Sequence, residues 1–412
     1  MAPQAAQVYE ATCTAPVNIA VVKYWGKRDT TLILPTNSSL SVTLSQDHLR
    51  SLTSAKCITT AATTTGDRLW LNGEEEEIKE GGRTHRCLAE LRKMRKDFES
   101  RDDSLPKLST YPLHIASENN FPTAAGLASS ASGLSALIAT ISTLYSLTPE
   151  NGISVSDLSR IARQGSGSAC RSMFGGYVAW EMGTRPDGHD SVAVEVAPAS
   201  HWPDLHALIL VVSDKKKGTP STAGMQRTVA TSDLLQHRID KVVPARMERI
   251  STAILARDFD QFAIETMADS NQFHAVCLDT VPPIFYLNDV SRAVIQLVSE
   301  LNRASVEAGK GYVAAYTYDA GPNAVLYVRE KDVQHVLELV LRYFPQESFE
   351  DPFHLGPKPA TDLPQGFNER VIPQHEKGSV ARIIHTKVGD GPRVLGAEES
   401  LLNAEGFPKS LK

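Results

Sequence analysis

Two apolar rhythms run along this chain. Continuous or alternating apolar stretches at residues 12–22, 68–71, 177–180, 205–212, 313–318 and 324–328 predict strands, and the stretch at 205–212 is apolar enough for a buried one. Spacings of three and four predict helices. Cys87, Leu91, Met94 and Phe98 place one from about residue 83 or 84 to before 104, and Leu134, Leu137, Ile138, Ile141 and Leu144 form the single apolar stripe of another. Longer helical patterns occupy 239–267 and 285–308, a further helix 333–344, and residues 380–386 return as a final strand. Asn72-Gly73 ahead of the acidic run 74–77 reads as a hairpin turn with a solvated end. The Pro- and Gly-bearing stretch 353–373 reads as a surface excursion. The mixture predicts an α+β fold with a seam between about 196 and 205, dividing residues 1–200 from 201–412.

Length agrees with more than one core, since 412 residues exceed what a single ordinary domain holds. Lys plus Arg number 42 and Asp plus Glu 48, a net charge of −6. That balance speaks against a nucleic-acid protein driven by bulk charge, but not against a small anion held by a few convergent cations. The five cysteines are scattered without a CxxC pair, which predicts neither a disulfide framework nor a structural zinc site. No apolar run approaches the roughly 18 residues of a membrane helix. The first 22 residues hold no Lys or Arg and no apolar presequence core. A cytoplasmic location is the expectation.

Chemistry concentrates in four places. Residues 122–133, from Pro122 and Thr123 through Ala124, Ala125, Gly126, Leu127 and Ala128 to Ser129, Ser130 and Gly133, are nearly devoid of bulk and lead into the helix with the apolar stripe. Small side chains let backbone N–H groups approach an anion, and a helix start adds unpaired donors and positive dipole. The Ser129 and Ser130 hydroxyls suit phosphate oxygens or a magnesium ion; a tightly packed helix start has the same composition. The loop is not a Walker A motif, since no Lys follows a glycine at the required place. A second turn holds Gly165, Ser166, Gly167, Ser168, Ala169, Cys170 and Arg171, where a guanidinium and two hydroxyls suit a charged oxygen cluster. A flexible turn with an exposed Arg is the plain alternative. Third, a strand beginning at Asn18 delivers Lys23, Tyr24, Trp25, Gly26 and Lys27, two lysines able to balance phosphate charge or simply solvated on an edge. Fourth, Asp319 stands between a strand and the Gly321-Pro322 turn, a place for a general base or for an ordinary turn cap. The histidines form no HExxH or H-x-E pattern, so no protein-held catalytic metal is indicated.

Taken together and in this order, these residues resemble one family. Pro122 to Ala131 resembles the P-x-x-x-G-L-x-S-S-A phosphate loop of the GHMP kinase superfamily. Within it, Ala15 to Ala20 leading to Lys23 to Lys27, Pro35-Thr36-Asn37-Ser38-Ser39, Ser117 to Pro122, Gly165 to Arg171, Phe174-Gly175-Gly176 and Tyr318 to Ala324 look like the diphosphomevalonate decarboxylase family, from about residue 9 to 408.

The resemblance implies a two-lobed GHMP-kinase fold, with an N-terminal lobe like ribosomal S5 domain 2, a ferredoxin-like C-terminal lobe and the active site between them. It implies ATP with Mg²⁺ as cosubstrate and a small-molecule substrate, (R)-5-diphosphomevalonate. The 3-hydroxyl is phosphorylated; phosphate and carbon dioxide then leave, giving isopentenyl diphosphate in the mevalonate route to isoprenoids and sterols. Carried over by position, Asp319 is the base, Lys23 the cation beside it, and Arg171 faces the substrate carboxylate and diphosphate with Asn18 positioning it. Ser130 orients the ATP phosphates. Tyr24, Trp25, Gly26, Lys27, Arg83, Ser166, Gly167, Ser168, Ala169, Cys170, Arg171 and Thr222 match substrate-contacting positions. Pro122, Ala124, Ala125, Gly126, Leu127, Ala128, Ser129 and Ser130 match the ATP loop, with magnesium carried by ATP. A homodimer without nucleic-acid or membrane partners completes the expectation. The rivals are another GHMP kinase, acting on mevalonate or phosphomevalonate, and a non-catalytic ligand sensor on the same fold.

Overall fold

A computed structural model describes residues 8–58, 66–121, 129–212, 218–346 and 349–410. The first part of the chain builds two sheets from β1 (Glu10–Pro16), β2 (Asn18–Val22), β3 (Lys27–Asp29), β4 (Leu34–Pro35), β5 (Ser39–Thr43), β6 (Arg50–Cys57), β7 (Arg68–Leu71), β8 (Glu74–Glu76), β9 (Leu113–Asn119), β10 (Tyr177–Trp180) and β11 (Ala193–Ala197). One sheet has the order β1-β6-β9-β7-β8 and the other β11-β10-β5-β2, while β3 and β4 pair as a small ribbon. Helices α1 (Arg83–Glu99), α2 (Ser129–Leu144) and α3 (Val155–Gly165) cover them. The apolar stripe on α2 enters a core with Cys13, Ala55, Leu88 and Ile115, as its spacing requires. Asn72 and Gly73 both take positive φ, 51° and 85°, the twist a two-residue hairpin between β7 and β8 demands.

The second part contributes β12 (Leu205–Val211), β13 (Ala314–Tyr318), β14 (Ala324–Arg329) and β15 (Arg382–Lys387), in the antiparallel order β13-β14-β12-β15. With helices between β12 and β13 and between β14 and β15, this is the ferredoxin-like arrangement. Its helices are α4 (Ser221–Thr231), α5 (Asp233–His237), α6 (Val243–Ala256), α7 (Phe259–Asp279), α8 (Asp289–Glu307) and α9 (Glu330–Tyr343). Strand β12 is buried on both faces. Leu208 and Leu210 meet α8 and α9, while Ala207 and Ile209 join a core shared with Ile19, Val21, Leu40 and Val42 of the first part and Phe262 of α7. That shared core joins the two parts of the chain. A last strand, β16 (Arg393–Leu395), pairs with β1, and the following stretch stays on the first part: the buried Lys56 ammonium donates to the carbonyls of Asn403 and Ala404 at 3.2 and 3.1 Å.

Two helical patterns differ from the sequence reading. The stretch 239–267 is not one helix, because Arg257 takes a left-handed φ of 55° and ends α6, and the Asp258 side chain caps α7 by accepting from the Gln261 amide. Helix α8 starts at Asp289 rather than 285, where Asn288 and Ser291 form a reciprocal cap behind Pro282-Pro283. The 12–22 stretch is likewise two strands, β1 and β2, in different sheets, and β5, β6, β9 and β11 have no counterpart in the pattern; the α+β layout and the other predicted elements agree with it.

Candidate active site

The site begins where two strands stop. Strand β2 is buried along its whole length and ends at Val22, so the next residue, Lys23, enters the seam between the halves. Strand β13 ends at Tyr318, and Asp319 follows ahead of the turn at Gly321. The Lys23 Nζ lies 2.6 Å from Asp319 Oδ1; the lysine side chain is 3% exposed and the carboxylate 38%. The ammonium is thus held inside while the carboxylate is partly exposed at the seam.

Both line a cavity of about 300 Å³. Its other walls come from Asn18, Tyr24, Trp25, Lys27, Arg83, Ser129, Ser130, Ser166, Gly167, Ser168, Arg171 and Thr222, all expected from the sequence. Arg171 sits in a tight 3-10 turn, Gly167–Met173, and is completely enclosed. Its Nε donates to Ser41 Oγ at 3.0 Å and to Asn18 Oδ1 at 3.3 Å, and its Nη1 donates to Ser39 Oγ at 2.6 Å. Asn18 in turn donates to the Ser168 carbonyl and to Ser172 Oγ. These bonds fix the guanidinium plane. Burial lowers the Arg171 pKa from its usual value, and the Asp319 carboxylate opposes that shift.

Lys27 and Arg83 face the same space. Burial and then the neighbouring Arg83 charge lower the Lys27 pKa, a strain that an anion between the two cations would relieve. The Tyr24 hydroxyl is buried without a hydrogen-bond partner among the described residues, and burial raises its pKa. An orphaned donor beside paired cations fits a phosphate-bearing ligand. Ser130, in the first turn of α2, has its hydroxyl 3.3 Å from Ser166 Oγ. Ser129 and Ser130 offer, at a helix start, the oxygen donors and dipole that suit a phosphate with a hard cation.

Three expected substrate contacts stand behind the wall rather than on it. Gly26 takes a φ of +94° and supports the turn, where a Cβ would meet Thr36 Oγ1 at 2.6 Å. Ala169 and Cys170 are fully buried under the Arg171 turn, the Cys170 thiol donating to the Gly167 carbonyl. Pro122, Ala124, Ala125, Gly126, Leu127 and Ala128 lie outside the described residues. Sequence reasoning missed Ile33, Met225 and Phe273 in the lining, because single apolar residues carry no chemical signal, and Ser221, an ordinary serine at the start of α4.

A family model for the diphosphomevalonate decarboxylase-like N-terminal domain matches residues 15–193, and one for the mevalonate 5-diphosphate decarboxylase C-terminal domain matches residues 207–395. The chain is 63% identical to the diphosphomevalonate decarboxylase of Ganoderma lucidum over 98% of this chain and 100% of that protein. It is similar to the X-ray crystal structure of a mevalonate 5-diphosphate decarboxylase, at 52% identity and a TM-score of 0.83, covering 96% of this chain and 99% of the other. It is also similar to the structure of MDDEF in complex with MVAPP, AMPPCP and magnesium, at 29% identity and a TM-score of 0.69, covering 95% and 100% of the two chains.

Proposed function

Because this chain belongs to the diphosphomevalonate decarboxylase family, its activity is the ATP-dependent decarboxylation of (R)-5-diphosphomevalonate, and we propose that the cavity between its halves performs it in two stages. The observation that carries the reading is the Lys23–Asp319 pair at 2.6 Å, in one cavity with the serines at the start of α2 and the enclosed Arg171.

In this reading the substrate diphosphate lies against Lys27, Arg83 and the Tyr24 hydroxyl, its carboxylate faces Arg171, and its 3-hydroxyl faces the Asp319 carboxylate. The ATP phosphates lie at the start of α2, oriented by Ser130. Magnesium bound with ATP screens phosphate charge and would be held at the Ser129 and Ser130 oxygens. A tertiary alcohol is hindered and weakly acidic, so in-line placement matters more than nucleophile strength. Asp319 accepts the hydroxyl proton as the O–P bond forms and the bond to ADP breaks, while Lys23 keeps the carboxylate aimed. The C3–O bond of the phosphorylated product then breaks, and phosphate leaves with its electron pair. The bond between C2 and the carboxyl carbon supplies the electrons of the new C2–C3 double bond, releasing carbon dioxide. Arg171, rigid in its turn, keeps the carboxylate aligned for that fragmentation. The electrons flow to a good leaving group, so no additional electron sink is needed.

The same proposal takes residues 1–200 and 201–412 as the two lobes, with the stretch from β16 onward packed back on the first, a homodimer as the assembly and the cytosol as the location. The backbones of Gly26, Ala169 and Cys170 support the substrate positions, and Pro122, Ala124, Ala125, Gly126, Leu127 and Ala128 are taken with Ser129 and Ser130 as the ATP-binding positions. The test is an assay with ATP, Mg²⁺ and carboxyl-labelled diphosphomevalonate, read for ADP and CO₂. One CO₂ per ADP is expected; ADP with a stable phosphorylated product would make the chain a small-molecule kinase instead.

A further inference from the structure

Helix α7 packs on both strands that deliver the reacting pair, β2 and β13. One face of it carries Asp269, Ser270, Phe273 and His274. The amide N–H of Lys23 donates to Asp269 Oδ2 at 2.7 Å, and the Lys23 carbonyl accepts from Arg238 Nη2 at 2.9 Å and Asn37 Nδ2 at 3.0 Å. Both polar groups of the Lys23 main chain are therefore clamped. Asp269 is fully enclosed and also accepts from Arg238 at 2.9 and 3.1 Å and from Arg246 at 3.1 Å. Burial works to raise its carboxyl pKa, but the arginines prevail and it lies below the ordinary value. Arg238 opens a single π-helical turn, Arg238–Val242, an interruption that re-aims a side chain within a helix.

The next residue on α7 does the equivalent for the other partner. Ser270 Oγ accepts from the Tyr318 N–H at 3.1 Å, so the residue just before Asp319 is tied to the same helix. A buried ion cluster is weak as a stabilising device, since apolar replacements often serve as well. Its arrangement here has a directional use: Asp269 spends one of its four accepted bonds on the Lys23 amide. We propose that Asp269 and Ser270 are positioning residues, neighbours on α7 that hold the main chain of Lys23 and of Tyr318, the residue before Asp319, in register so that the ammonium and the carboxylate meet. This rests on the roles given above to Lys23 and Asp319.

The test uses the full chain with Ser270→Ala, Ser270→Thr and Asp269→Asn, measuring kcat, KM for both substrates, the pH profile and thermal melting. Among the described residues, Lys23, Arg171, His274 and Tyr327 bear on Asp319, so the acid limb of kcat reports their relation to it. Ser270→Ala is expected to lower kcat about 10- to 100-fold with KM values within about twofold, since small misplacements cost this much. It also moves the acid limb to higher pH, because a carboxylate set apart from its ammonium holds its proton more tightly. Ser270→Thr, which keeps the acceptor, restores most of the loss. If Asp269→Asn does not fold, the serine pair decides alone. An unchanged acid limb, or a kcat loss matched only by melting, overturns the positioning role. Absence of CO₂ from the wild type would instead overturn the proposed function.

Discussion

The Nζ of Lys23 and Oδ1 of Asp319 are 2.6 Å apart although 296 positions separate the residues. One directly follows a strand of the first part, the other a strand of the second, and their bridge crosses the seam that the substrate must enter. Asp319→Asn keeps the shape and a hydrogen-bond acceptor for Lys23 but cannot take a proton. Turnover should fall by about 10³-fold or more, with ATP affinity measured by titration calorimetry within a fewfold of wild type. Near-normal steady-state turnover would remove Asp319 from the mechanism.

Arg171 cannot be replaced by lysine. Its guanidinium satisfies Ser39, Ser41 and Asn18 at once, a fan that an ammonium on a flexible stem does not reproduce. Arg171→Lys should lower kcat/KM for diphosphomevalonate by about 10²-fold and destabilise the fold by about 1–3 kcal/mol through unpaired buried hydroxyls. Kinetics with denaturant titration checks both, and a fully active, fully stable lysine variant is the contrary result.

Ser130 acts on the nucleotide. Ser130→Ala removes a hydroxyl at the start of α2 that faces the cavity and lies 3.3 Å from Ser166 Oγ. The expected result is a loss of about 10- to 100-fold in kcat/KM for ATP, with diphosphomevalonate binding preserved in an ATP-free titration. Loss of diphosphomevalonate binding alone would place the serine elsewhere.

Acid should destabilise this protein earlier than its carboxylates alone would. Burial first, then nearby positive charge, lowers the pKa of His274 from 6.5 to about 3, and burial followed by His206 and His48 does the same for His385. Between those values the unfolded chain binds protons that the folded chain refuses, so stability rises with pH across the window. It is fully present above 6.5 and lost as pH falls. At pH 5 each histidine removes about 2 kcal/mol relative to neutral pH. Urea titrations at pH 7 and pH 5 should show His274→Gln and His385→Gln each losing about that much less than wild type; equal losses would mean these rings are already charged when folded.

The sequence made the local parts of this molecule readable and the tertiary ones obscure. Asn72-Gly73 specifies its hairpin because few residues accept positive φ, and the stripe on α2 specifies its buried face by spacing alone. Arg257 gave no warning of a helix end, since an arginine rarely adopts the left-handed conformation that stops α6. Nor did any pattern reveal that the stretch after residue 393 returns to β1, because that pairing depends on distant partners. In the site, Lys23 and Asp319 each had an ordinary surface explanation; only their meeting removes it. Asp269 carried a faint signal, a carboxylate on a helix face otherwise built from Phe262, Thr266 and Phe273, which is costly unless something inside pairs with it.

The most direct measurement is a rapid-quench single turnover with γ-labelled ATP and carboxyl-labelled diphosphomevalonate, comparing wild type with Asp319→Asn. The account predicts labelled phosphate and CO₂ in equal amounts from wild type, and neither from the variant although both substrates bind it. CO₂ released by the variant at the wild-type rate would contradict it.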